Sequence, residues 1–115
     1  LAWLDGKMAE GGTCLIAERD GAPAGFAACI TGYDDFAFVT PRYRRFGLVM
    51  DLYVAPEHRR QGVARALLSA AEAFFRAQGF TKMEITALGP NKAARATYEA
   101  LFGDEVAATY ARYFD

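Results

Sequence analysis

Residues 47–78 read GLVMDLYVAPEHRRQGVARALLSAAEAFFRAQ, and this stretch decides the fold. Its first part predicts a strand from Leu48 to Val54: Leu48, Met50, Leu52 and Val54 fall on one face, Val49, Asp51 and Tyr53 on the other. Ala55-Pro56 ends it, because proline has no N–H to give a ladder. Arg59-Arg60-Gln61-Gly62 follows. Then Val63, Leu67, Ala70, Ala71 and Phe74 recur at helical spacing as an apolar stripe. Arg65, Ser69, Glu72 and Arg76 take the opposite side, with Glu72 and Arg76 placed as a favourable i,i+4 pair. Gly79 is a natural helix stop.

Strand, basic glycine turn, helix is an arrangement that suits an anion. The first turn of a helix carries unpaired N–H groups and a partial positive charge. Gly62 lets a phosphate come close to the backbone, and neighbouring arginines add charge-assisted bonds. The nucleotide-binding patterns GxxxxGK[ST] and GxGxxG are both absent. A plain strand–turn–helix with solvated arginines is the competing interpretation.

The rest of the composition narrows the class. With 115 residues, 53% hydrophobic and 23% charged, the chain is one globular domain long enough for a real core. A net charge of −1 argues against a general nucleic-acid binder. No apolar run approaches the ~20 residues that span a bilayer, and no charged-then-apolar leader is visible. A cytoplasmic protein without membrane or nucleic-acid partners is expected. The two cysteines, Cys14 and Cys29, lack C-x-x-C spacing and there is one histidine, so no metal site is expected.

Outward from the central stretch, Leu1 to Lys7 predicts the end of a helix, with Trp3 and Leu4 buried. Thr13–Arg19 and Ala24–Thr31 predict a hairpin about Asp20-Gly21-Ala22-Pro23, pairing Arg19 near Ala24 and Cys14 near Cys29. That register would set the thiols opposite each other; two small buried thiols is the simpler alternative to a disulfide. Gly25 and the alanines of the second strand point to close packing, as against a helix. The segment from Gly32 to Arg45 holds Tyr33, Phe36, Phe38 and Tyr43 beside Asp34 and Asp35. It reads equally as a cap on the core or as a pocket for a cationic amine. Arg42, Arg44 and Arg45 read as a solvated turn. Thr81–Leu88 predicts a strand parallel to Leu48–Val54 through a helical crossover. Gly89-Pro90 breaks it, Asn91 caps a helix ending near Phe102, and Gly103 stops that helix. Val106–Phe114 predicts a last strand.

RRQGVA, Arg59 to Ala64, resembles the R/Q-x-x-G-x-G/A signature of the GNAT superfamily of acyl-CoA-dependent N-acyltransferases. LYVAPEHRRQGVARALL resembles that family's full strand–loop–helix, and Asn91-Lys92-Ala93-Ala94-Arg95-Ala96-Thr97-Tyr98 its N-x-x-A-x-x-x-Y helix. The resemblance implies an α/β (α+β) fold: a mixed, mostly antiparallel central sheet with helices on both faces and a splayed pair of parallel strands. It also implies acetyl-CoA as cosubstrate. Arg59, Arg60, Gln61, Gly62, Val63, Ala64 and Arg65 would hold the diphosphate, and Asn91 would contact the cofactor while capping its helix. Pantetheine would add like a short strand to backbone groups of Leu52 and Val54, and an N–H on the Leu52-Tyr53-Val54 stretch would face the thioester oxygen. Within 1–115, a single domain, the family's usual first strand and first long helix have no counterpart, which leaves a sheet edge open. The Phe102-Gly103 order also departs from the family's Gly-Phe.

Acetyl transfer from a thioester to an amine needs a held donor, a deprotonated amine, a stabilised oxyanion and a protonated thiolate. An alkylamine with a pKa of ~10 arrives protonated, so a carboxylate must take its proton. Asp51, on the strand beside the donor, is the first candidate, with a salt bridge or strand-end hydrogen bond as its structural alternative. Glu84, on the neighbouring strand, is the second. His58 lies among the arginines of the turn, where a loop or cofactor-edge role suits it better. Tyr98 resembles the family's general acid for the departing thiolate. The cysteines lie on the early hairpin, so direct attack in a ternary complex is expected rather than an acyl-cysteine. The acceptor is expected to be a small amine or diamine, from a weak likeness of MDLYVAPEHRRQG to that branch. The rivals are a CoA-binding module without turnover, a fragment completed by a partner chain such as a homodimer, and a nucleotide or phosphopeptide binder.

Overall fold

The computed structural model describes residues 11–34, 39–87, 91–106 and 109–114. Its first two strands are set by a two-residue turn. Asp20 and Gly21 both adopt positive φ, 52° and 80°, the combination that closes a tight hairpin with the twist of its strands. The first strand, β1, is Thr13–Arg19, and β2 is Ala22–Tyr33. The tight turn carries Ala22 and Pro23 into β2, where a longer turn is predicted. Ala17 pairs with Gly25 and Glu18 with Pro23, so Ala24 is an extra residue on β2, next to Pro23, whose missing N–H suits an interrupted ladder. The register is therefore two steps from the predicted one at Arg19, which pairs with Ala22, and one step at the cysteines: Cys14 pairs with Ala28, and Cys29 with Thr13. One step turns a side chain to the other face. Cys14 is exposed, Cys29 is buried, and both are free thiols, which corrects the expectation of facing or jointly buried cysteines.

The third strand, β3, is Arg45–Val54, antiparallel to β2. It too is bulged: Ala28 pairs with Asp51 but Cys29 pairs with Val49, so Met50 is the extra residue. The bulge changes the parity of the strand. Val49, Leu52 and Val54 all pack on the same core cluster, while Met50 is 47% exposed. The predicted faces, with Val49 beside Asp51 and Met50 beside Leu52, are corrected by that one inserted residue.

Helix α1, Val63–Ala77, lies across the sheet and buries Val63, Leu67, Leu68, Ala71 and Phe75 against Ala24, Ala27, Cys29 and Val49. The stripe follows the i,i+4 row through Phe75; Ala70 is exposed and Phe74 only half-buried, unlike the predicted stripe. Two features fix Phe75. A Cβ on Gly47 would fall on the Phe75 ring, so glycine makes the seat. At the helix end, Gly79 N–H donates to the Arg76 carbonyl and Phe80 N–H to the Phe75 carbonyl. These are the two bonds of a Schellman stop, with the Phe75 and Phe80 rings 6.1 Å apart as its apolar contact. The expected Glu72–Arg76 pair forms at 2.9 Å on the exposed side.

Strand β4, Met83–Ile85, is parallel to β3, as expected, but shorter than Thr81–Leu88, whose last residue lies outside the described residues. The sheet order is β1-β2-β3-β4. Helix α2, Lys92–Phe102, packs Tyr98, Leu101 and Phe102 against the same cluster. Asn91 caps it by accepting from the Ala94 N–H at 3.1 Å. The predicted strand at Val106–Phe114 does not form among its described residues. Val106, Tyr110, Tyr113 and Phe114 are exposed there. Aromatic strand preference is a preference for packing on a sheet face, and these side chains have none. The predicted N-terminal helix with Trp3 and Leu4, residues 35–38 and the predicted Gly89-Pro90 break lie outside the described residues. Among the described residues no helix is long and apolar enough to cross a membrane.

Candidate active site

The parallel ladder pairs Gly47, Leu48 and Val49 with Met83, Glu84 and Ile85, and stops there. Its end coincides with the Met50 bulge. Beyond that point β3 and β4 part, and a cleft of about 170 Å³ opens between them. Val49–Leu52 form one wall, Ile85–Ala87 the other, and Asn91, Ala94 and Tyr98 of the second helix close it.

Past the bulge the strand has no partner strand on that side among the described residues. Ala55 N–H donates to the Ala24 carbonyl at 2.8 Å, so by alternation Tyr53 and Asp51 direct their backbone groups to β2 as well. Leu52 and Val54 then direct theirs away from β2, toward the parted side. The Val54 carbonyl there accepts from Arg59 Nε at 3.1 Å. Tyr53, named with Leu52 and Val54 from the sequence, has its backbone on the β2 side, opposite Phe26, and its ring 5.8 Å from the Phe26 ring.

Above the cleft the chain turns into α1. Arg60 and Gly62 both take left-handed conformations, φ 62° and 80°. Nothing lies within 4 Å of where a Gly62 Cβ would stand, so the space over the turn is open. The first-turn N–H groups of Val63, Ala64 and Arg65 have no helical acceptor by construction. Arg59, Arg60, Gln61 and Arg65 are all exposed around this opening. Gln61 is tied down from two sides: its side-chain amide donates to the Glu57 carbonyl at 3.3 Å, and its carbonyl accepts from Arg19 Nη1 at 3.4 Å.

Of the three residues proposed for chemistry, two meet at the cleft. Asp51 and Tyr98 both line it. Burial first, and the Asp51 charge second, hold the Tyr98 phenol above its ordinary pKa. Glu84 does not line the cleft; its carboxylate pairs with Lys82 Nζ at 2.8 Å, and Lys82 in turn sits 4.5 Å from the Phe46 ring centre. His58 sits on a 3-10 turn, Pro56–His58, with its N–H donated to the Ala55 carbonyl, outside the cleft. The sequence alone did not single out Arg19, nor Ile85, Thr86 and Ala87 as a wall. The only local signal for Arg19 was its place beside an Asp-Gly turn. Of the aromatic segment, Tyr33 is 66% exposed and residues 35–38 lie outside the described residues.

The profile of the Acetyltransferase (GNAT) family matches residues 2–104. The chain belongs to the GNAT acetyltransferase family. The donor in GNAT enzymes is acetyl-CoA. A Bos taurus thialysine N-epsilon-acetyltransferase is 29% identical over 92 residues, which cover 76% of this chain and 53% of that protein. The chain thus spans about half the length of this curated relative. Among solved structures, the aminoglycoside N-acetyltransferase AAC(6')-Iy in complex with CoA aligns with a TM-score of 0.76 at 20% identity, covering 99% of this chain and 90% of its own. A ribosomal-protein-alanine N-acetyltransferase from Brucella melitensis biovar Abortus 2308 aligns with a TM-score of 0.69 at 23% identity, covering 91% and 72%. These structures share the GNAT fold with this chain.

Proposed function

We propose that this chain transfers an acetyl group from acetyl-CoA to a primary amine, a small amine or diamine in preference, by direct attack in a ternary complex. The observation that carries the proposal is the coincidence of three features: the β3–β4 ladder ends at Val49/Ile85, the Met50 bulge falls at that same point, and Asp51 and Tyr98 line the gap.

The residues suit the donor. The open turn at Gly62 and the first-turn N–H groups of α1 would hold its diphosphate, with Arg59, Arg60 and Arg65 adding charge. The Leu52 carbonyl and the Val54 N–H would pair with the amide arm, the Val54 carbonyl being held by Arg59, and the Leu52 N–H would face the thioester oxygen as charge develops there. Asp51 takes the proton of the incoming ammonium, directly or through water. The freed amine nitrogen bonds the acetyl carbon as the carbon–sulfur bond breaks. Tyr98 gives its phenolic proton to the leaving sulfur, and the nitrogen's second proton returns through water to the phenolate, so that the products are the neutral amide and the free thiol. With Glu84 held by Lys82, Asp51 is the carboxylate free to act. The small-amine preference follows the thialysine relative; aminoglycosides and peptide N-termini are the competing acceptors.

The test is release of free CoA thiol from acetyl-CoA over a panel of linear diamines, thialysine, an aminoglycoside and an alanine-terminated peptide. Turnover favouring the linear amines is expected. A second reading, a CoA-binding module or a fragment completed by a partner chain such as a second copy, is motivated by the outer edge of β1, which has no neighbour among the described strands and exposes Ile16 at 62%. Tight CoA binding with no turnover on any amine would favour it.

A further inference from the structure

We propose that Arg19, at the tip of the β1–β2 hairpin, is a positioning residue that sets the direction of the Gly62 N–H in the donor-binding turn. The proposal rests on the acetyl-CoA reading above and adds a residue from outside the family's turn signature. Arg19 is the last residue of β1, directly before the Asp20-Gly21 turn, and lies 42 positions from the residue it contacts. Its Nη1 donates to the Gln61 carbonyl at 3.4 Å. That carbonyl and the Gly62 N–H belong to one planar trans peptide, in which the two groups point in opposite directions. Holding the carbonyl toward the hairpin turns the N–H away from it.

The contact matters because this peptide has two available orientations. Glycine accepts either sign of φ at little cost, so the Gln61–Gly62 plane is free to flip unless something holds it. In the structure Gly62 stands at φ 80°, with open space where a side chain would be. The Gln61 side chain is anchored on the Glu57 carbonyl, but that bond leaves the main-chain plane free. Arg19 is the group that selects between the two orientations. A flipped plane would aim a carbonyl, rather than an N–H, along the direction the diphosphate needs.

The experiment compares the wild-type chain with Arg19→Met, Arg19→Gln and Arg19→Lys, measuring CoA affinity by calorimetry, kcat and KM for acetyl-CoA, and the Gly62 amide shift by NMR. Arg19→Met should weaken CoA and raise the donor KM roughly three- to tenfold, as expected for an exposed hydrogen bond, with kcat at saturating donor unchanged and a displaced Gly62 amide signal. Arg19→Lys and Arg19→Gln, which keep a donor, should recover most of the affinity. Recovery by lysine but not glutamine would overturn the proposal in favour of charge alone. CoA bound equally by wild type and Arg19→Met would overturn it while leaving the acetyl-CoA reading intact. A wild-type chain that binds no CoA would overturn both.

Discussion

Asp51 and Tyr98 reach the same cleft from different elements, one on the strand that bulges at Met50 and the other on the second helix, and the carboxylate adds to burial in raising the phenol's pKa. A carboxylate and a phenol placed together supply the proton acceptor and the proton donor that amide formation from a thioester requires.

Tyr98→Phe keeps the ring that packs 6.1 Å from Phe102 and removes only the hydroxyl. The expected result is a fall in kcat of about 10²-fold or more, the usual range for a positioned proton donor, with CoA affinity unchanged by calorimetry. Equal losses in kcat and affinity would count against the acid role.

Asp51→Asn tests the base and carries a sign for pH. At pH 7 its rate should fall, because the acceptor's proton has no carboxylate to go to. The deficit should shrink toward pH ~10, where an alkylamine gives up its proton unaided. The lost negative charge also ceases to disfavour the phenolate, so the Tyr98 pKa falls toward its ordinary value, with burial still holding it above. The alkaline limb of kcat should move to lower pH than in wild type. An unmoved limb would mean that the two groups are not coupled.

The cysteines give a chemical check on the β1–β2 register. Cys14 is exposed and Cys29 buried, so a disulfide-exchange reagent should titrate one thiol in the native chain and two after denaturation. Burial first, and Cys14 second, push the Cys29 thiol up to about 11 from 9.0. As pH rises above 9.0 the unfolded thiol ionises before the folded one, so stability should decline from there to about 11. Cys29→Ala should flatten that slope in urea titrations at successive pH values.

What the sequence reveals and what it hides divide by range. Pro56, Gly79, Asn91 and Gly103 act on their own few residues, and each ends or starts an element where local chemistry says it should. Asp51 and Tyr98 were each named from a short motif of its own, and the fold brings the two to one cleft. The two bulges were not legible: an extra residue at Met50 or at Ala24 is decided by the neighbouring strand, and nothing local marks it. Choosing Phe75 over Phe74 needs Gly47, a strand away, and Arg19 reaches the turn only once the sheet has formed. The exposed aromatics of residues 109–114 carry strand preference without a sheet face to meet it.

Gly47→Ala tests that distant seat. Its Cβ would fall on the Phe75 ring, so it should cost about 1–3 kcal/mol in urea unfolding, the usual range for overpacking. Adding Phe75→Leu should make the double variant more stable than the sum of the single losses. Strict additivity would place the two residues out of contact.

Gly62→Ala separates backbone strain from occupancy at the donor site. No atom lies within 4 Å of the added carbon, so any instability must come from holding an L-residue at φ 80°, a cost of about 1 kcal/mol. Gly62→Asn should cost less, since asparagine tolerates that conformation through its short polar side chain. Both variants nonetheless place atoms where the diphosphate would lie. Their losses in CoA affinity should therefore be similar and larger than their losses in stability, read by calorimetry beside thermal unfolding. If the asparagine variant bound CoA as tightly as wild type, the space over Gly62 would not be where the diphosphate sits, and the site would have to be sought along the strand edge at Leu52 and Val54 alone.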